Sequence, residues 1–506
     1  MSKQEQTHKW LTLIAMTGSL SMIFIDQTVV SVALPVMQRD LGISQAGLQW
    51  IVNAYVLALA STVALGGKLG DSLGRVRAFV VGIVLFAIAS TICGFAPNQM
   101  ILIAARAFQG IAAGLMIPAS AAIVVDSFDI HERGKAMAIY VGVAQAFLAI
   151  GPLLGGALTE YLSWRWVFWI NIPIGVVAIV LTYLSKPLQT ISEKQTVNLS
   201  YALMLILGLV GLVFGIQQGH TFGWTSTLTL GLIFGGFLLL SLFAYLQTKS
   251  DNPLIQIKLF NDPAFTADTI LLFCIQFAMI SIIVFGAIYL QDILHFTPLE
   301  AGFALMPIII SVVIMSQVSG RLLDRVGVRI PALFGTALIA VGFLGQAPFL
   351  ERAEFLWILP GMIFLGLGIG LVMVATNTDA LNRAPSRYRA QASGVVQTIR
   401  QMGATIGLAS IGGLVTTMLA WETQKIILNY EGEERAKTLL SQAELGQVDA
   451  IKELLASYPA LLDQFHMSLS KSIAAGYYFA GAVSVIAFFI AFFLMSSGKQ
   501  YEDNLK

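Results

Sequence analysis

Apolar runs of about 18 or more residues recur along the whole chain, and each is long enough to cross the ~30 Å hydrocarbon core of a bilayer. Only 11% of the 506 residues are charged and the mean hydropathy is +0.80, whereas soluble domains carry about 25% charged residues. The chain is therefore predicted to be an all-α polytopic membrane protein. Its first apolar run is about 25 residues long, too long for the core of a signal peptide, and is predicted to be a retained span.

Counting these runs gives about fourteen transmembrane helices, and an even number places both termini on the same side. If the termini are cytoplasmic, 19 of the 29 Lys and Arg residues fall in cytoplasmic segments and 8 in outer segments, while Arg106 and Arg400 lie within spans. That asymmetry follows the positive-inside rule. A multi-pass protein of the inner (cytoplasmic) membrane with both termini cytoplasmic is predicted. The predicted spans are 10–34, 47–66, 78–97, 99–121, 136–158, 164–184, 199–217, 227–247, 267–291, 299–318, 331–350, 355–378, 391–418 and 471–495.

A glycine-rich charged segment lies between spans 2 and 3 and is partly repeated later in the chain. Segment 67–77 reads GKLGDSLGRVR, and 320–329, which begins 253 residues later, reads GRLLDRVGVR. Residues 45–47 (QAG) and 300–302 (EAG) open spans 2 and 10 with a similar offset of 255. The repeat predicts two homologous six-helix bundles with two inserted helices, a plan in which transporters place a substrate site between the halves.

The predicted domain division is an N-terminal bundle at 1–185, a linker with the two inserted helices at 186–265, and a C-terminal bundle at 266–506. The last part includes a hydrophilic outer loop at about 420–470, in which three apolar residues are spaced for one helix face before Pro459 ends the helix. Two interpretations stay open for this loop: amphipathic helices at the membrane rim, or a lid over the exit. The three apolar residues are Ile451, Leu454 and Leu455.

Segment 67–77 is predicted to form a cytoplasmic gate. Its glycines allow a tight turn between spans 2 and 3, and the N-terminus of span 13 would stabilise the Asp71 carboxylate by about 0.3–1 kcal/mol. Arg75 is expected to pair with Asp126 at the cytoplasmic end of span 4. These contacts would latch the two halves together, and the alternative is a solvated loop whose charges only set topology. The candidate gate residues are Gly67, Asp71, Gly74, Arg75, Arg77 and Asp126.

Asp26 and Arg106 are charged residues inside predicted spans. Asp26 lies roughly 24 Å from the inner surface at ~1.5 Å per residue, in the outer half of the membrane, and Arg106 lies at a similar depth. A carboxylate at that depth is costly and marks a functional site. Burial favours the neutral carboxyl group and a nearby arginine favours the charged one, which predicts a group that binds and releases protons. The alternative is a static ion pair that only fixes packing.

Span 5 carries Gly151, Pro152, Gly155 and Gly156. Proline within a span bends it, and glycines allow a neighbouring helix to pack closely. The arrangement Gly-Pro-x-x-Gly-Gly predicts a point of close helix contact.

Candidate residues for a substrate cavity come from both halves. Arg400, with Gln401, lies near the middle of span 13 and is predicted either to contact substrate or a carboxyl group in the cavity, or to bond backbone carbonyls of a broken helix. Asn53 and Tyr55 in span 2 are the other cavity candidates. Three acidic residues near span ends are predicted to be interfacial rather than ligands: Asp268, Asp292 and Asp379.

Several classes of function are not indicated by the sequence. A net charge of +1 suggests no nucleic-acid partner, and there is no Gly-x-x-x-x-Gly-Lys-[Ser/Thr] segment for ATP. The two cysteines imply neither a disulfide nor a metal site, and the five histidines fall in predicted loops or termini. We therefore expect no metal, no cofactor and no enzymatic activity, with the proton gradient as energy source.

Seven segments resemble signatures of the major facilitator superfamily, and specifically of its fourteen-span drug:proton antiporter family. Together they cover essentially the whole chain: 25–35 (IDQTVVSVALP), 67–77, 106–110 (RAFQG), 151–156 (GPLLGG), 164–175 (WRWVFWINIPIG), 320–329 and 400–403 (RQMG). In that family the arginine of the 106–110 segment is tied to proton coupling, and a segment like 151–156 is found in exporters rather than in symporters.

The resemblance implies a secondary active exporter that trades inward protons for outward movement of lipophilic compounds, as in multidrug efflux and antibiotic resistance. Its partners would be a small lipophilic substrate, protons and membrane lipids. The alternative on the same fold is a dedicated exporter of one metabolite, siderophore or lipid. A membrane scaffold or sensor is a third class, and it has no physical need for buried charges. The sequence does not indicate a periplasmic adaptor.

Overall fold

The computed structural model describes residues 3–129, 132–187, 198–250, 253–383, 389–429 and 459–495, and these residues form helices and no strand. The long helices follow one another through short connections: α1 Lys3–Leu41, α2 Gln45–Leu73, α3 Arg75–Phe95, α4 Gln99–Ser127, α5 Arg133–Tyr161, α7 Asn171–Ser185, α8 Leu199–Gln217, α10 Thr227–Lys249, α11 Pro263–Ile288, α13 Met306–Val326, α14 Arg329–Gln346, α15 Phe355–Arg383, α16 Arg389–Asn429 and α17 Pro459–Leu494.

Shorter helical segments extend or connect the long ones. They are α6 Trp166–Trp169, α9 Gly219–Phe222, α12 Pro298–Ala304, the 3₁₀ turns Ile257–Asn261 and Ala347–Arg352, and the π-helical turn Tyr289–Ile293. The π turn continues α11, and α12 leads into α13.

The prediction of an all-α polytopic membrane protein is confirmed. Among the described residues, thirteen helices are long and apolar enough to cross a membrane. Each coincides with one predicted span, and the remaining prediction, 136–158, falls on the 29-residue helix α5. At ~1.5 Å per residue α5 is also longer than the hydrocarbon core is thick.

Several helices continue past the predicted limits of their spans. The first span was expected to end at residue 34, but α1 continues to Leu41. The predicted outer loop, 420–470, is helical at both ends, because α16 runs to Asn429 and α17 begins at Pro459. The predicted limits followed the edge of the apolar run, and a helix continues where its residues become polar. The middle of the loop, with its three spaced apolar residues, lies outside the described residues, so both interpretations stay open.

The two inserted helices pack on each other beside the rest of the bundle. Helix α10 lies against α8, and α8 in turn contacts α2 and α16. The Trp50 and Phe214 rings lie 5.6 Å apart between α2 and α8. Helix α8 therefore bridges α2 of the first half and α16 of the second. The predicted domain boundaries stay a prediction.

Two ends of the molecule are distinguished by the connections that lie there. We call the end where α1 begins and α2 meets α3 at Gly74 the N-terminal face, and the end where α1 finishes and α2 begins after Ser44 the opposite face. Ser44 caps α2 by accepting a hydrogen bond from the Gly47 amide at 3.1 Å. Gly74 has φ +94°, a conformation that favours glycine, and it forms the sharp turn between α2 and α3.

Glycines set the closest helix crossings. A Cβ at Gly66 of α2 would lie 2.8 Å from the Gly114 carbonyl carbon of α4, so the two backbones touch. In the second half, a Cβ at Gly335 of α14 would lie 2.8 Å from the Gly368 oxygen of α15. Because lipid offers no hydrophobic drive between helices, this close van der Waals packing stabilises their association.

Gly66→Ala should therefore destabilise the protein by about 1–3 kcal/mol, since its methyl group meets backbone that cannot move aside. The measurement is the midpoint of thermal unfolding of the purified protein in detergent. Gly345→Ala in α14 is the control, because a Cβ there meets nothing within 4 Å, and Ala is the better helix former. Equal midpoints for the two variants would contradict the prediction.

Candidate functional site

Asp26 and Arg106 form an ion pair in the interior of the first half. Asp26 lies in α1 and is 0% exposed, and Arg106 lies in α4 and is 1% exposed. The Arg106 Nη1 atom donates to Asp26 Oδ2. The sequence placed the two at similar depth, and the structure brings them into contact.

Neighbouring amides complete the hydrogen bonding of both charges. Asp26 Oδ1 accepts from Asn171 Nδ2 at 3.1 Å and from Gln109 Nε2 at 3.4 Å. Arg106 donates from Nε to the Ile51 carbonyl at 3.0 Å and from Nη1 to Gln109 Oε1 at 2.8 Å. A buried ion pair is tolerated only when such additional bonds satisfy its remaining donors and acceptors.

Ser90 and two aromatic rings surround this network. Gln109 Nε2 donates to Ser90 Oγ at 2.7 Å. The Arg106 guanidinium carbon lies 4.3 Å from the centroid of the Tyr55 ring and 5.8 Å from that of Phe168. Aromatic faces attract a cation while keeping water away from it.

Tyr55 and Asn53 do not line a cavity as predicted, because both are 0% exposed. Tyr55 belongs to the buried charge network and donates its hydroxyl to the Ile23 carbonyl at 3.4 Å. Asn53 Nδ2 donates to Gln217 Oε1 of α8 at 2.8 Å. The inserted helix covers this face of α2, and no pattern in α2 itself indicates which face that is.

The Asp26 carboxylate is surrounded by hydrogen-bond donors. Its two oxygens face the Arg106 guanidinium and two amide NH₂ groups. These contacts tie α1 to α4 and to α7 around one buried carboxylate.

The predicted gate segment is not a loop through most of its length. Helix α2 extends through Gly67 to Leu73, Gly74 makes the turn, and α3 begins at Arg75. The charged residues interrupt the apolar run but do not stop the helix, because the intrahelical hydrogen bonds do not depend on side-chain polarity. A Cβ at Gly67 would make only an ordinary contact, 3.6 Å from Pro118 Cβ.

Arg75 and Asp126 lie together at the N-terminal face. Arg75 Nη1 is 2.5 Å from Asp126 Oδ2, and the pair joins α3 to α4, both in the first half. Arg77 is exposed on α3. The Asp71 side chain lies outside the described side chains, so its contact with the start of α16 stays a prediction.

The proline of the span-5 motif leaves a backbone gap that α1 fills. Pro152 has no N–H, so the carbonyl four residues before it, that of Leu148, has no helical donor. Thr28 of α1 donates its hydroxyl to that carbonyl at 3.0 Å. A Cβ at Gly155 would lie 3.0 Å from Val29 Cγ2, so α1 and α5 are in close contact here.

The same motif contacts the second half through reciprocal glycines. A Cβ at Gly156 would lie 2.8 Å from Leu299 Cα of α12, and one at Gly302 of α12 would lie 2.7 Å from the Pro152 oxygen. The Leu299 amide also donates to Glu160 Oε2 at 3.0 Å. Helices α5 and α12 are therefore held together at the opposite face.

Two further hydrogen bonds join the halves toward the opposite face. Gln291 Nε2, in the π turn after α11, donates to the Val32 carbonyl at 2.7 Å. Gln49 Nε2 of α2 donates to the Gly412 carbonyl of α16 at 3.3 Å. Together with the α5–α12 contact, they close the molecule at this face.

In the second half, α16 is continuous through Arg400 from Arg389 to Asn429, so it is not a broken helix. Among the described residues, Arg400 Nε has no hydrogen-bond partner, and Gln401 is buried. The substrate-contact hypothesis for Arg400 stays a prediction.

Asp268 and Asp292 are buried within the protein, at 1% and 3% exposed, and their placement at the membrane interface stays a prediction. Asp268 and Asp379 both lie within 4 Å of Arg383, at the end of α15. Sequence position near the end of a span did not reveal that another helix covers the side chain.

Four polar residues of the site were not assigned a role from sequence: Thr28, Ser90, Gln109 and Asn171. Three of them lie in the segments that carry the family resemblance, and all four interrupt apolar runs. Polar residues inside spans are the signal that could have identified them. Within the described residues there is no group of three or more His, Cys, Asp or Glu side chains that could hold a metal.

A multi-span helical bundle with a buried ion pair in one half, and halves that meet at one face, defines a protein of the transporter class. The family model described as Major Facilitator Superfamily matches residues 16–408. The chain belongs to this superfamily of transporters.

Relatives with assigned names are similar along most of the chain. The multidrug resistance protein Stp of Mycobacterium tuberculosis is 31% identical over 411 residues, which cover 81% of this chain and 76% of that protein. The tetracenomycin C resistance and export protein of Streptomyces glaucescens is 30% identical over 497 residues, 96% of this chain and 91% of that protein.

Among solved structures, a bacterial homolog of the human lysosomal transporter Spinster, in an inward-facing and unoccupied conformation, matches with a TM-score of 0.67. The match covers 98% of both chains at 17% sequence identity. At that identity the likeness shows a shared fold.

Arg106→Ala should destabilise the protein by about 3–5 kcal/mol, because it leaves the Asp26 carboxylate buried without its cation. The double variant Asp26→Asn/Arg106→Gln should recover much of that loss, since it removes both charges. Thermal unfolding midpoints in detergent measure both effects. Arg165→Ala breaks a more exposed pair with Asp40 and should cost no more than about 1 kcal/mol. A double variant as unstable as Arg106→Ala would contradict the argument.

Thr28→Val should cost about 1–3 kcal/mol, because the part-buried Leu148 carbonyl loses its donor. Thr28→Ser keeps a hydroxyl at the same position and should unfold at nearly the wild-type temperature. The same unfolding assay tests the pair. If Ser and Val variants behave alike, the hydroxyl does not serve the carbonyl freed by Pro152.

Proposed function

We propose that this protein is a proton-coupled exporter of lipophilic small molecules, a drug:proton antiporter of the cytoplasmic membrane with both termini inside. It carries out no chemistry on its substrate and uses the proton gradient in place of a cofactor. The observation that carries the proposal is the fully buried Asp26–Arg106 pair. An ionisable pair at this depth is costly to bury and is characteristic of proton relays in transporters.

The names of relatives support export of antibiotics and drugs. Stp is named as a multidrug resistance protein and the Streptomyces glaucescens relative as a resistance and export protein. The second of these names refers to a single compound, which supports the alternative of a dedicated exporter on the same fold. The buried charge pair serves both alternatives, so the range of substrates distinguishes them.

The transport cycle follows from the contacts of α1. In the present arrangement Asp26 is paired with Arg106. The opposite face, which we propose to be the outer one, is closed by the contact between α5 and α12. A proton that reaches Asp26 from outside neutralises the carboxylate and weakens its hold on Arg106. Release of that proton to the inside restores the pair while substrate moves outward.

Rocking of the halves uses the glycine contacts between α5 and α12. The backbones come into close contact at Gly156 and Gly302, and we propose that this contact parts and re-forms as the halves move. At the N-terminal face, the Arg75–Asp126 pair is proposed to hold α3 against α4 while the halves approach each other there.

Asp26→Asn should abolish proton movement driven by substrate, because an amide cannot take up and release a proton. The assay uses purified protein in liposomes with an internal pH dye and a panel of lipophilic cations, neutral drugs and organic anions. Asp40→Asn is the matched control, since Asp40 lies on the same helix but is partly exposed and paired with Arg165 at 2.7 Å. That variant should keep wild-type flux.

Proton flux triggered by several unrelated compounds and lost only in Asp26→Asn would support a multidrug antiporter. Flux with one compound would support the dedicated exporter. Wild-type coupled flux in Asp26→Asn would overturn the role of this carboxylate.

A further inference from the structure

We propose that Asp268 is a second proton-binding site, located in the second half near the N-terminal face, and that it shares its proton with Asp379 beside Arg383. This inference rests on the proton-coupled transport proposed above and adds a carboxyl group separate from the Asp26 network. None of these three residues lies in a segment that carries the family resemblance.

The site lies where α11 begins and α15 ends. Helix α11 starts at Pro263 after its N-cap Asp262, and Asp268 is in its second turn. Asp379 and Arg383 are one turn apart in the last part of α15. The two helices pack together in the second half, so the three side chains meet between them.

The buried Asp268 carboxylate and that of Asp379, whose side chain is 14% exposed, share one buried guanidinium. Arg383 Nε is 2.5 Å from Asp379 Oδ2 and 3.5 Å from Asp268 Oδ2, and the Arg383 side chain is 3% exposed. Asp262 is 3.8 Å from Arg383 Nη1 but 42% exposed, so water solvates it. The start of α16 carries Arg389, whose side chain lies outside the described part. Among the described side chains, the carboxylates of Asp268 and Asp379 thus face a single cation, Arg383, and the three together carry one net negative charge.

Asp268 also lacks the hydrogen bonds that a buried carboxylate needs. Within the described residues neither of its oxygens has a hydrogen-bond partner, although the residue is 1% exposed. Asp26, at similar burial, accepts hydrogen bonds on both oxygens. A buried polar group without partners is costly and points to something bound there.

A bound proton would account for both the surplus negative charge and the missing hydrogen bonds of Asp268. It cancels the surplus charge, and it turns one Asp268 oxygen into a donor that faces a second carboxylate at the same guanidinium. Two carboxylates that share a site hold one proton more firmly than either does alone. In the proposed cycle the proton reaches Asp268 from the opposite face. When α11 and α15 move apart or Arg383 turns fully toward Asp268, that proton is released toward the N-terminal face.

Infrared difference spectroscopy between acid and alkaline pH detects this proton without any transport. The wild type should show the C=O band of a buried protonated carboxyl group, and Asp268→Asn should lose it. Asp26→Asn should retain this band. Asp262→Asn, the control at the exposed carboxylate nearby, should retain it as well. A band that persists in Asp268→Asn, or one that sodium ions abolish in the wild type, would overturn the proposal.

Asp268→Glu keeps a carboxyl group and provides the test if the Asn variant does not fold. Its C=O band should shift relative to the wild type, because the longer side chain changes the distance to Asp379. An unshifted band would place the signal on another residue and overturn the assignment.

The coupling ratio then tests what the site does in transport. With the membrane potential held at zero, the substrate concentration ratio across the membrane should equal the square of the proton concentration ratio in the wild type, because two protons are exchanged per substrate. In Asp268→Asn it should equal the proton concentration ratio itself, because one proton is exchanged. An unchanged exponent in that variant would contradict a transported second proton. If no compound moves protons in the wild type, the proposed function fails while the infrared result still stands or falls by itself.

Discussion

Hydrocarbon offers no hydrogen bonds, so each polar group that this chain places inside the membrane must find its partner within the protein. The Asp26–Arg106 pair meets that demand with the side-chain amides of Gln109, in α4 itself, and of Asn171 in α7, and the Leu148 carbonyl meets it with the Thr28 hydroxyl. These bonds require α1, α4, α5 and α7 to keep particular positions. The architecture of the first half thus follows from satisfying a few polar atoms as much as from packing apolar ones.

Glycine supplies the complementary constraint, because it lets backbones touch where no side chain is needed. Its contacts fall into two groups with different consequences. Those of Gly66 with α4 and Gly335 with α15 join helices within one half and give each half rigidity. Those of Gly156 and Gly302 join the two halves. Close backbone packing thus occurs both within each half and between the halves.

Much of the fold could be predicted from the sequence, because span length and the internal repeat are local or periodic signals. Asp26 and Arg106 stood out for the same reason, as charges inside apolar runs. What could not be predicted depends on which helix covers which face. Asn53 is covered by α8 and Asp268 by its neighbours. The roles of Gln109 and Asn171 become visible only in the folded structure, where both donate hydrogen bonds to Asp26.

Asp26 and Thr28 occupy a single turn of α1, so the proposed binding of a proton at Asp26 would act close to the contact between the halves. The carboxylate binds Arg106 of α4, while the hydroxyl two residues on holds the α5 backbone beside Pro152, whose oxygen faces Gly302. No long relay of residues is needed to connect the two events. A compound wedged between α1 and α5 at this turn would block both at once without entering a substrate cavity, and substrates could not displace it by competition.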